Sequence, residues 1–175
     1  MPNEAEPFRS RAVRALVTLH DREMRRFFDV WMDADRAGVT LPTPHAGAYA
    51  SRAALLRHVL AAARGYMVWM TEQLGLPDPG IEPAPEADTI AEEAAAYLDH
   101  VLDRWRAPLR DVGDERLEDA MYPVWGAAST IDAMLEHAVM HPIRHAYQLE
   151  ELGAGLGSEG GHRQERRDAG ARVEV

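Results

Sequence analysis

The stretch Met134–Leu152 reads MLEHAVMHPIRHAYQLEEL and carries a histidine at every fourth position: His137, His141 and His145. On an α-helix, residues four apart stand one above the other on the same face. Two imidazoles so placed can reach one metal ion, and a further ligand must then come from another helix. The same spacing also suits a partly exposed polar stripe, or core histidines satisfied by carbonyls. The rest of the chain has to decide between these readings.

Three histidines on one helix give two candidate pairs. Pro142 bears on the choice, because it has no N–H for the carbonyl of Ala138 and disfavours α geometry at His141. The turn from His137 to His141 spans that defect, whereas the turn from His141 to His145 follows it. His141 and His145 are therefore expected as the rigidly placed pair, with His137 at the pocket rim or supporting the ligands.

Working back along the chain, apolar residues recur at helical steps. Val13, Leu16, Val17, Met24, Phe27, Phe28 and Trp31 predict a helix over Phe8–Arg36, closed near Gly38. His20 sits in its middle, at the flank of the apolar face or lining the pocket. Pro42, Pro44 and Gly47 then break the chain. Ser51 can cap a second helix, Ser51–Leu74, with Leu56, Val59, Leu60, Ala63, Met67 and Met70 as its core stripe. His58 falls within that apolar pattern, beside Leu55 and Ala62. An imidazole there needs a hydrogen-bond partner or a metal, which makes it the best candidate ligand from another helix.

An irregular connection rich in proline and glycine follows, Gly75–Ala87. Thr89 and Glu92 have capping-box spacing for a third helix, Thr89–Arg110. His100, between Asp99 and Asp103, is expected in solvent. Tyr122–Gly126 reads as an extended crossing segment or short strand pair. Ser129 and Asp132 then suit the start of the histidine helix, Thr130–Leu152. From Gly153 to Val175 the chain is rich in glycine and charge, so a disordered tail that the fold can lose is expected, with His162 in it.

Four long helices in one domain over residues 1–152 predict an all-α four-helix bundle. Those residues hold no Glu-x-x-His pair of the di-iron kind. The 175 residues include no cysteine, so thiolate ligands and disulfides are excluded and any metal must be held by His, Asp, Glu or water. There is no lysine either, which removes Schiff-base chemistry. A net charge of −10 opposes nucleic-acid binding. No apolar run approaches a membrane span and the N-terminus lacks a signal-peptide core, so a cytoplasmic protein is expected.

With His58 early in the second helix and His141-x-x-x-His145-x-x-Gln148 late in the last, the chain resembles the DinB/YfiT-like superfamily over about Phe8–Leu152. Ala146 and Tyr147 stand where that family commonly has Arg-Gly. The resemblance implies a metal-binding four-helix bundle with His58, His141 and His145 as ligands, and a homodimer. It also implies kinship with thiol-dependent enzymes such as mycothiol-dependent maleylpyruvate isomerase and the bacillithiol transferases.

Three imidazoles leave a divalent ion an open position, and zinc and nickel both suit such a set. The reading expected on this basis is a metal-dependent transferase or isomerase that brings a low-molecular-weight thiol to a small electrophile. A non-catalytic metal- or ligand-binding bundle and a metal-dependent hydrolase are the alternatives. Candidate pocket walls are Tyr66, Trp69, Trp125 and His20. Arg52, Arg57 and Arg144 are candidates for a substrate carboxylate, each weighed against a solvated surface role. Val30, Met32 and Ile90 suggest a second apolar face for the dimer.

Overall fold

Heptad-like burial of Val13, Val17, His20, Met24, Phe27, Trp31 and Ala34 turns one face of the first helix inward. The computed structural model describes the backbone of residues 8–42 and 47–170, with side chains to residue 155, Ala48 excepted. Helix α1 spans Arg11–Arg36, α2 Arg52–Leu74, α3 Ile90–Trp105 and α4 Ile131–Gly170. A small antiparallel pair, β1 (Tyr122–Val124) and β2 (Ala127–Ser129), precedes α4. The architecture is the expected all-α four-helix bundle. No helix among the described residues is long and apolar enough to cross a membrane.

Local signals set most helix ends. The Ser10 hydroxyl accepts from the Val13 N–H at 3.1 Å, and the Ser51 hydroxyl from the Ala54 N–H at 3.0 Å. Gly75 closes α2 in the left-handed conformation, φ 64°, which a side chain would resist. Two expected caps differ. Thr89 is itself helical and makes no side-chain cap; the chain already turns at Glu86, whose carbonyl accepts from Ile90 N–H at 2.8 Å. At α4 the cap is Thr130, whose hydroxyl accepts from Ala133 N–H at 3.1 Å, because Ser129 is taken up by β2. Helix α4 also continues past Leu152 to Gly170; residues 153–170 include no proline to stop it. The side chain of His162 lies outside the described residues.

Indole N–H groups tie the bundle together. Trp31 of α1 donates to the Arg52 carbonyl at 2.8 Å, and Trp105 of α3 donates to the Ala63 carbonyl at 3.0 Å. α1 packs chiefly along α4, and α2 against α3 and α4. The connection between α2 and α3 is irregular yet pinned. Arg64 donates to the Ile81 carbonyl, Tyr97 to the Glu82 carbonyl, and His100 Nε2 accepts from the Glu82 N–H at 3.0 Å. His100 is thus half-buried rather than solvated. Ile90 belongs to the core and is fully buried, so it offers no second face; Val30 and Met32 are half-buried.

The hairpin leans on α2. Trp69 donates to the Pro123 carbonyl at 3.1 Å, and its ring meets Tyr122 edge-on at 6.1 Å. This places the turn Trp125–Gly126 beside the middle of α2. His58 lies about two turns before Tyr66 on the same helix, facing the same cavity.

Candidate metal centre

His58 projects from α2, and His141 and His145 project from successive turns of α4. One ring nitrogen from each lies within 4.8 Å of the other two. His141 and His145 are buried and His58 half-buried. His58 Nε2 and His141 Nε2 stand 3.1 Å apart. Two nitrogens bound to one zinc at tetrahedral angles stand roughly 3.3 Å apart, given bonds of about 2.0–2.1 Å. The spacing therefore suits two ligands of one ion, and equally a hydrogen bond between one protonated and one bare nitrogen.

His145 discriminates further. Its Nδ1 lies 2.9 Å from Gln148 Oε1, an atom that only accepts, so Nδ1 carries the proton. The other ring nitrogen is then bare. Arg144 Nη2, which can only donate, lies 3.5 Å from that Nε2 and agrees with the assignment. A neutral imidazole anchored through Nδ1–H, with a bare second nitrogen and its ring beside those of His58 and His141, is the arrangement a metal ligand needs. These residues fit a divalent ion. Gln148→Leu should lower zinc affinity about 10- to 100-fold, the usual effect of losing the group that orients a ligating histidine, with melting temperature little changed. Competition against a chromophoric chelator measures this.

Electrostatics favour the same protonation state. Burial lowers the His141 pKa to about 2, with the neighbouring histidines and Arg144 adding to the shift. Burial lowers His145 to about 4 against the opposing pull of Gln148. His58 is lowered by burial and by Arg144. All three are neutral at pH 7. Burial also raises the Tyr66 hydroxyl to about 12, so it remains a phenol.

A cavity of about 770 Å³ opens beside the cluster, with His58 and His141 in its wall. Ala61, Ala62 and Gly65 of α2 form one side, and Tyr66, His137 and Trp125 stand at one end. His137 is exposed and outside the three-histidine cluster, with its ring 6.0 Å from that of His141. Among the described residues, no carboxylate and no fourth histidine joins the cluster.

Not every sequence candidate reaches the site. Tyr66 and Trp125 line the cavity; Trp69 instead braces the hairpin. His20 lies outside the wall, buried against Trp105 with ring centroids 3.7 Å apart. Arg52 is committed to Asp35 at 2.8 Å, whereas Arg57 does line the cavity, paired there with Glu86 at 2.9 Å. Arg144 has no carboxylate within ion-pair distance among the described residues. Tyr49 was not legible as a site residue. It follows a proline-rich break, yet its ring stands 5.9 Å from His145 and 6.4 Å from His58. Only its position just ahead of the α2 cap pointed there.

No solved structure matches this chain. The sequence model of the DinB superfamily matches residues 9–149, a span that runs from the N-terminal cap of α1 through all three clustered histidines and Gln148. With the helical bundle and the histidine cluster both in place, that match over most of the chain makes the protein a member of the DinB superfamily.

Proposed function

We propose that His58, His141 and His145 hold one divalent metal ion through neutral Nε2 atoms, and that the adjoining cavity brings a low-molecular-weight thiol to a small electrophile. The observation that carries this reading is the meeting of three histidine nitrogens beside an open cavity, two of the histidines in its wall, with no fourth protein ligand beside them among the described residues. Structural zinc is normally closed by four protein ligands, whereas reactive sites keep one position free. Bound there, zinc or nickel would supply the Lewis acidity that makes a thiol or water acidic near neutral pH.

The chain's own groups suit such a task. Arg144, which has no carboxylate partner among the described residues, places a positive charge beside His145, which favours an anionic sulfur over a neutral one at the site. Gln148 fixes the His145 ring through Nδ1–H. The alanine and glycine side of the cavity leaves room for a substrate against α2. With no cysteine in the sequence, the nucleophilic sulfur must come from a co-substrate. Such a thiol would add to the electrophile and leave as part of the product in a transfer, or depart again in an isomerisation.

The test is thiol consumption by zinc- or nickel-loaded protein. Small thiols are offered with 1-chloro-2,4-dinitrobenzene, and free thiol is followed. Consumption above the uncatalysed rate that disappears on chelation supports the reading. Metal binding without thiol consumption across several thiols and electrophiles would leave a non-catalytic metal-binding bundle.

A further inference from the structure

Trp125 is the residue that neither the fold nor core packing explains. It fills the first of the two turn positions between β1 and β2, with φ 47°, and Gly126 follows at φ 78°. Two left-handed residues make the turn that hairpin strands prefer, and Asn-Gly or Gly-Gly fill it without strain. A bulky side chain in that region is an outlier, and such outliers persist where the residue has a use. Burial is not that use, since Trp125 is 73% exposed.

The contacts of its ring show where the use lies. Trp125 meets Tyr66 edge-on at 5.9 Å and stands 6.0 Å from His137. Tyr66 in turn meets the His141 ring at 5.6 Å. A continuous run of ring surface therefore leads from the histidine cluster to the hairpin tip. Beside it, a Cβ at Gly65 would meet nothing within 4 Å. Gly65, Tyr66 and Trp125 line the same cavity as His58 and His141. The charged residues in that wall, Arg57 and Glu86, are paired with each other at 2.9 Å.

We propose that Trp125, backed by Tyr66 and given room by Gly65, is the specificity-determining subsite for a flat, uncharged aromatic or conjugated part of the substrate. The position of the reacting end at the histidines rests on the metal reading above; the flat subsite itself does not. Ring-on-ring contact and apolar burial supply the preference.

Paired probes with one head group and different tails test it. 2-Naphthohydroxamate and acetohydroxamate share a metal-binding head, and only the first has a flat tail. Calorimetry on the zinc-loaded full chain should show the naphthyl compound binding at least about tenfold more tightly. In Trp125→Gly, which suits φ 47°, that preference should fall to within about threefold while acetohydroxamate binding and melting temperature hold. Trp125→Tyr should keep most of the preference. Gly65→Leu should weaken only the naphthyl compound. Equal binding of the two compounds by the wild type, absence of naphthyl binding, or an undiminished preference in Trp125→Gly would overturn the proposal. Failure of the metal reading shows separately, as affinities for both compounds that chelation of zinc leaves unchanged. The naphthyl preference and its loss in Trp125→Gly then still decide the subsite.

Discussion

Alanine at His58, His141 or His145 should each lower zinc affinity by on the order of a thousandfold, because each removes one of three protein ligands. His141 is the central member. Its Nε2 is 3.1 Å from that of His58, and its ring meets His145 edge-on at 4.7 Å. His137→Ala should stay within about threefold of the wild type, since a group outside the coordination sphere contributes little directly. Its ring is on the far side of His141 from the cluster's third member and is exposed. An equal loss in His137→Ala would make it a ligand and would reassign the site. The pH profile follows from the same geometry. Metal needs bare nitrogens, and protons compete only near the pKa of the ligand in the folded protein. Burial keeps His141 and His145 neutral down to about pH 4. His58 is lowered as well, by burial and by Arg144, so native-state affinity should hold from pH 7 to below the ordinary imidazole value of about 6.5. Metal titrations of the folded protein across that range check this.

The largest effect on stability is expected from His20. It is 1% exposed, stacks on Trp105 at 3.7 Å, and has no hydrogen-bond partner at either ring nitrogen among the described residues. Burial lowers its pKa to about 3. The folded protein therefore keeps this imidazole neutral, while the unfolded chain protonates it below about pH 6.5. Above that value neither state gains a proton and no stability is lost. As pH falls from about 6.5 towards 3, the unfolded state alone binds the proton and stability falls. At pH 4.5 this single group should cost about 3 kcal/mol. His141 and His145 act in the same direction.

His20→Phe keeps a ring on Trp105 and removes two unsatisfied nitrogens. Urea unfolding should find the variant at least as stable as the wild type at pH 7. At pH 4.5 the variant should lead by about 3 kcal/mol more than it does at pH 7. Parallel pH profiles for the two proteins would mean that His20 is bonded or hydrated in solution.

What the sequence made legible was what local chemistry decides. Ser51 and Gly75 mark α2 because a cap and a left-handed glycine act within one turn of the chain. The bundle follows from apolar spacing that needs no partner to be read. His58 stood out because an imidazole within an apolar stripe must be satisfied by something. The misread features depend on distant contacts. Glu86 begins the turn into α3 while Arg57 of α2 holds its carboxylate, so Thr89 loses its role as cap. Ser129 loses its role because pairing with Tyr122 draws it into a strand. His20 could be placed on a helix but not against Trp105, whose approach is set by α3. Tyr49 reaches the site from the break ahead of α2, where no periodicity points the side chain, whereas Trp125 is a pocket candidate that the cavity does include. His137 and His141 share the spacing of His141 and His145, and only the position of α2 separates the two pairs.

The central claim is that three histidines from two helices hold one metal ion. Elemental analysis of untagged protein, exchanged into metal-free buffer after purification, tests it most directly. We expect about one zinc or nickel per chain in the wild type and in His137→Ala, and almost none in the folded His58→Ala, His141→Ala and His145→Ala variants. A wild-type protein that is folded, metal-free and unable to take up zinc or nickel when supplied would contradict it.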